Sequence, residues 1–230
     1  TFGSDANRTA NIRSGHTNHG IEIRSADLAA EYTGEFEEMW GSSTATPSNT
    51  VSNFHSRKSD NTTHSVYVGG KLVEVHFSPS EGALARVNEA VAEEADESAH
   101  FCIYAFSDQE LTDNLKLLWE GSTTESTGTL TGFKLQGVME SGYWEQYWSA
   151  SMDMTGVDGS PDQSNKWNNK ALIGFDGEDK LLHHKYMIVD HDTESDPFVI
   201  TGSMNWSANG EDTNDENTLI IHDAAIANQF

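Results

Sequence analysis

The chain has 230 residues, with 13 Lys and Arg against 37 Asp and Glu, a formal net charge of -24. That balance excludes a basic groove holding nucleic acid by bulk electrostatics. The carboxylates are spread along the chain and lysine is scarce, as on a surface adapted to high salt, where screening removes self-repulsion.

No run of about eighteen apolar residues occurs, so no membrane span is expected. The single Cys102 cannot form an intrachain disulfide and lies in an apolar run. Thr1 opens the chain and no signal peptide is legible, which leaves the compartment open. The expectation is a soluble protein of a high-salt organism, secreted or cytoplasmic.

In chain order, residues 41–66 are rich in Ser, Thr and Asn without apolar period, and read as a linker or long surface connection. "KLVEVHF" then alternates like a strand. "SPSE" supplies a helix start, with Ser78 as cap, Pro79 at the first position and Glu81 closing a capping box. Leu84, Val87, Val91 and Ala95 follow at helical spacing.

"HFCIYAF" is continuously apolar and reads as a central strand. Ser107 and Glu110 form a second capping box before Leu111, Leu115 and Leu118. "GFKLQGVM", "HKYMIVD", "PFVITGS" and "NTLIIHD" are further strands. Alternating strands and helices predict a layered α/β domain with a largely parallel or mixed sheet. "YWEQYW" groups Tyr143, Trp144, Tyr147 and Trp148 within two turns if helical, and reads first as core or rim packing. "MTGVDGSPDQSN" reads as a loop over the site.

The chain also echoes itself. Laid so that Asn7 falls on Asn205, it places Asn11 on Asn209, Ile23 on Ile221 and Ala29 on Ala227. Residues 1–40 thus read as the closing strand and helix of a first repeat, and 67–230 as a nearly whole second one.

"LLHHKYMIVD" carries the chemistry. On a strand, His183 and Lys185 share a face, and Asp190 sits at the exit. "GSMN" follows, with Gly202, Ser203 and Asn205, and "NDEN" contains Glu216. These parts suit attack on a phosphodiester. A neutral imidazole can be the nucleophile. Lysine and asparagine can hold the nonbridging oxygens, and a carboxylate on the far imidazole nitrogen fixes the tautomer.

His183-x-Lys185 with Asp190, followed by Gly202-Ser203-x-Asn205, resembles the HKD signature of the phospholipase D superfamily. "VEVHFSPSEG", "IYAFSDQEL" and "NDENTLII" are also similar to that family, so the resemblance covers 67–230. It implies a mixed sheet sandwiched between helices, and catalysis with no cofactor and no obligatory metal. His183 would form a phosphohistidine intermediate, Lys185 and Asn205 would bind the phosphate, and Glu216 would orient His183. Asp190 completes the motif in a more structural role. Ser203 is a supporting donor, Trp206 lines the site mouth, and His184, of opposite strand parity, is left out.

One HKD motif is present where the family chemistry needs two histidines. In the first repeat "SDAN" stands in place of GSxN, and Asn18 replaces the glutamate. The second histidine is expected from a homodimer about a two-fold axis or from an upstream half. The resemblance implies a nonspecific endonuclease of DNA or RNA. The alternatives are a phospholipase D or phosphatidyl transferase on lipid headgroups, and a silent half-domain. The remaining histidines (16, 19, 55, 64, 76, 100, 191 and 222) show no metal-ligand spacing, so no metal site is expected.

Overall fold

Strict alternation of buried side chains sorts the apolar strands between two faces, and helices cover both. The computed structural model describes residues 15–123, 128–157, 166–177 and 179–230. Eight strands form one sheet: β1 (Ser65–Val68), β2 (Lys71–Ser78), β3 (Ser98–Ile103), β4 (Lys134–Met139), β5 (Leu172–Phe175), β6 (Lys185–Val189), β7 (Phe198–Gly202) and β8 (Glu216–Ile221), in the order β1-β2-β8-β7-β6-β3-β4-β5. Only β3–β4 and β4–β5 pair in parallel. The other neighbours are antiparallel, so the sheet is mixed but not largely parallel.

Met187 and Val189 of β6, with Phe198 and Ile200 of β7, pack on one face. There they meet Leu84, Val87 and Val91 of α2 (Ala83–Glu94) and Leu111 and Leu115 of α3 (Gln109–Glu120). Met154 of α4 (Ala150–Thr155) joins this layer. Ile188, Val199, Val73, Val75 and Phe77 point the other way, toward Leu28 of α1 (Ala26–Trp40). Each such side chain stabilises the fold by roughly 1.5–3 kcal/mol relative to exposure. A short α5 (Ala208–Asp212) precedes β8, and α6 (Ala224–Ala227) follows it.

Both expected capping boxes are displaced. α2 starts at Ala83 behind Gly82, because Ser78 is still in β2, paired with Glu216 of β8. The Ser78 hydroxyl donates to the Gly210 carbonyl at 2.6 Å, and the Glu81 carboxylate accepts from the Phe77 N–H at 2.8 Å. α3 is capped by Asp108, which accepts from the Leu111 N–H, and not by Ser107. β3 stops at Ile103, short of the full "HFCIYAF" run, as the Tyr104 N–H turns to the His184 carbonyl. β1 and β5, both short, were not legible as strands.

Residues 41–64 are a long surface connection pinned along its length, and the last two residues of the expected 41–66 segment already belong to β1. Buried Lys58 donates to Glu35 and to the Ser78 carbonyl, both at 2.6 Å. Glu38 on α1 accepts from Asn53, Ser59 and Asn61. The internal echo superposes two helix caps, Ser25 of α1 and Asp223 of α6, but residues 18–23, which it lays over β8, form no strand. Its Asn7 and Asn11, like "SDAN", lie outside the described residues, as does most of the "MTGVDGSPDQSN" loop.

Candidate active site

The three central strands β8, β7 and β6 bring their polar residues to one end of the sheet. Leu182 donates its N–H to the buried Glu140 carboxylate at 2.6 Å, which fixes the chain just before β6. Thr17 runs alongside: its N–H donates to the Leu181 carbonyl at 3.0 Å, and the His183 N–H donates to the Thr17 carbonyl at 2.8 Å. His183 and His184 therefore precede the strand, and Lys185 is its first residue. At the end of β7, Gly202 has φ 146, and a Cβ there would sit 2.1 Å from the Asn217 carbonyl oxygen. Only glycine permits that approach. It lets the Ser203 N–H donate to that carbonyl at 3.0 Å, while Ser203 Oγ accepts from the Asn217 N–H at 3.0 Å.

Around these residues lies a cavity of about 340 Å³ lined by His183, Lys185, Ser203, Asn205 and Glu216. Asn18 and His19 complete the wall, and sequence reasoning placed neither in the site. Nδ1 of His183 lies 3.2 Å from Asn18 Oδ1. The Asn18 amide nitrogen turns to the His16 carbonyl at 3.5 Å, so the oxygen faces the ring. An oxygen that only accepts requires a proton on Nδ1, which leaves the Nε2 lone pair free. Burial, then the nearby Lys185 ammonium, lower the His183 pKa to about 4. The ring is neutral at neutral pH.

Lys185 is buried and its pKa is pushed down to about 8 by that burial, against the pull of Glu216. Its Nζ donates to the His183 carbonyl at 3.0 Å and stands 4.9 Å over the Tyr104 ring. Tyr104 also packs against His183, with centroids 4.8 Å apart. Tyr143 stands behind it, its hydroxyl 3.1 Å from that of Tyr104. "YWEQYW" is not helical, since Tyr143 closes a 3-10 turn and Tyr147 is exposed. The Asn205 amide oxygen is buried without a hydrogen-bond partner, so a flip would aim a donor there. His19 is held at both nitrogens, 2.6 Å from Thr201 Oγ1 and 3.0 Å from His184 Nδ1. Burial, then His184, bring its pKa to about 4.

Two expected roles, those of Glu216 and Trp206, meet a different geometry, while Asp190 keeps the structural one. Glu216 shares the cavity, but it is Asn18 Oδ1 that accepts from the His183 ring, and Glu216 accepts from Asn214 at 3.3 Å. β7 separates β8 from β6, which sets their backbones roughly 10 Å apart. Asp190 lies at the opposite end of β6, fully buried, and accepts from the N–H groups of Asp96, Glu97 and Ser98 at 3.1, 2.7 and 2.9 Å. It anchors the fold and touches no site residue among these contacts. Trp206 does not line the mouth: it is 2% exposed and packs edge-on against Phe106 and Phe101.

Residues 148–230 match the family described as cardiolipin synthase, PLD-like domain. Over that stretch, about a third of the chain, the sequence is similar to a phospholipase D-like domain. Members of this superfamily are phosphodiesterases. The phospholipase D-like fold is shared with NucT from Helicobacter pylori at TM-score 0.50 and 20% identity, over 68% of this chain and 89% of NucT. Nuc from Salmonella typhimurium, a phospholipase D family member, aligns at TM-score 0.49 and 23% identity, over 69% of this chain and 88% of Nuc. No curated protein matches the chain by sequence. Among the described residues, no helix is long and apolar enough to cross a membrane.

Proposed function

We propose that the cavity is a phosphodiesterase site that cuts nucleic acid through a phosphohistidine on His183. Nε2 attacks phosphorus, a P–N bond forms, and the departing oxygen takes a proton from a second histidine. Water then attacks phosphorus, breaks the P–N bond and releases the phosphate. Lys185 and Asn205 hold the nonbridging oxygens, with Ser203 in support, and Glu216 faces the Lys185 charge. The observation that carries this reading is the neutral His183 ring, held by Asn18 at Nδ1 and without a hydrogen-bond partner at Nε2 among the described residues, in one cavity with Lys185 and Asn205.

Residues 1–40 are proposed as the tail of a first repeat, 41–66 as its connection, and 67–230 as the catalytic unit. The acid has two proposed sources. One is His183 of a second copy about a two-fold axis. The other is His16, whose ring lies edge-on 6.2 Å from that of His183. The net charge of -24 supports work in high salt. There binding rests on directed contacts, because nonspecific electrostatic affinity for DNA fades with salt.

The test is cleavage of plasmid and single-stranded DNA in EDTA at high salt, with His183→Ala as control. Cutting that the variant abolishes supports the nuclease. Choline release from phosphatidylcholine without DNA cleavage would replace it with a phospholipase. Neither activity, with a monomer in sedimentation, would leave a silent domain. His16→Ala then separates the two acids, since a dimer-supplied proton survives it.

A further inference from the structure

A second cluster of titratable groups lies where the 41–66 connection meets the end of β2. Asp60 and His64 belong to the connection, and Glu81 follows β2. One ligand atom from each lies within 4.8 Å of the others. His64 Nε2 is 2.9 Å from Asp60 Oδ1, and its Nδ1 is 3.6 Å from Glu81 Oε2.

The Glu81 side chain is wholly buried. Its Oε2 accepts from the Phe77 N–H at 2.8 Å and the Thr62 hydroxyl at 3.0 Å, whereas Oε1 is buried with no hydrogen-bond partner. A buried carboxylate oxygen left without a partner is costly, and a cation is the partner that removes the cost.

We propose that Asp60, His64 and Glu81 form a site for one divalent transition-metal cation. Two carboxylates and one imidazole suit zinc or cobalt better than magnesium, which takes oxygens almost alone. Atoms bound at about 2.0–2.2 Å from a metal stand roughly 3–3.5 Å apart, so a small closure brings the three into place. Asp60, the exposed member, has room to make it.

The rest of the shell is rigid. The His64 ring stacks on that of His76 with centroids 4.6 Å apart, and Glu81 is fixed by the end of β2. The cation would clamp the connection to β2, whose last residue, Ser78, pairs with Glu216 of the cavity. The sequence hid this site because Asp60 and His64 meet Glu81 only once β1 and β2 have folded back on each other.

The experiment is calorimetric titration of the full chain, stripped with chelator and dialysed, with Zn²⁺ in high salt and excess Ca²⁺ to occupy surface carboxylates. One equivalent of Zn²⁺ should bind and raise Tm, and Co²⁺ should give visible ligand-field absorption. Asp60→Asn and His64→Gln should each weaken Zn²⁺ at least tenfold, with folding checked by circular dichroism. Asp60 is exposed, so its variant decides if the other fails to fold. The proposal is overturned if no equivalent binds under excess Ca²⁺, or if Asp60→Asn binds like the parent. Neither readout involves DNA cleavage, so failure here leaves the proposed function untouched.

Discussion

Asn18 Oδ1 lies 3.2 Å from Nδ1 of His183, across 165 positions of sequence. A neutral amide stands on the far side of the ring where a carboxylate was expected. It fixes the tautomer without stabilising an imidazolium. Asn18→Ala should lower kcat by about tenfold, the value of one hydrogen bond of about 1.4 kcal/mol. Asn18→Asp should raise the His183 pKa above about 4, since an adjacent negative charge favours the protonated ring. NMR titration of the ring and the acid limb of kcat/KM check this together. An unchanged limb in Asn18→Asp would remove Asn18 from the site.

The pH dependence follows from two groups. His183, lowered to about 4, must be neutral to attack, so the acid limb of kcat/KM should fall near that value. Lys185, lowered to about 8, loses its charge above it, so the alkaline limb should lie no higher than about 8. A histidine acid would pull that limb lower still. A rate flat from pH 3 to pH 10 would contradict both assignments.

Stability carries the same signature. His183 and His19 have folded-state pKa values of about 4 against 6.5 in the unfolded chain. Between those values the unfolded state binds more protons, so stability is full above pH 6.5 and declines as pH falls toward 4. Thermal melts should show this decline, reduced in a His19→Gln variant if that protein folds.

Asp190 belongs to the signature motif but serves the fold. Its buried carboxylate accepts three backbone N–H groups at the turn into β3. Asp190→Ala should cost about 3 kcal/mol by denaturant unfolding, from hydrogen bonds to a buried charge. The folded fraction should keep its kcat. A catalytic loss without a stability loss would show that the distance from the cavity misleads.

Much of this was legible from residues alone. Apolar runs and alternation placed six of the strands, and the resemblance to the HKD signature grouped His183, Lys185, Asn205 and Glu216, which line one cavity. The failures share a physical cause: tertiary contacts decided them. Ser78 looked like a helix cap because its neighbours fit the box, but its pairing with Glu216 keeps it in β2. Trp206 follows a site residue, yet its backbone bridge to Phe106 turns it into the core. Asn18 and Tyr104 reach His183 from distant segments, and no local pattern marks them. The echo that lays Asn18 over Glu216 was the one available hint.

The central claim is tested most directly by stopping turnover of a ³²P-labelled oligonucleotide under alkaline quench, digesting the protein and mapping the labelled peptide. Phosphate should be found on His183, and His183→Ala should carry none. Label on another residue, or label retained in the variant, would contradict the mechanism.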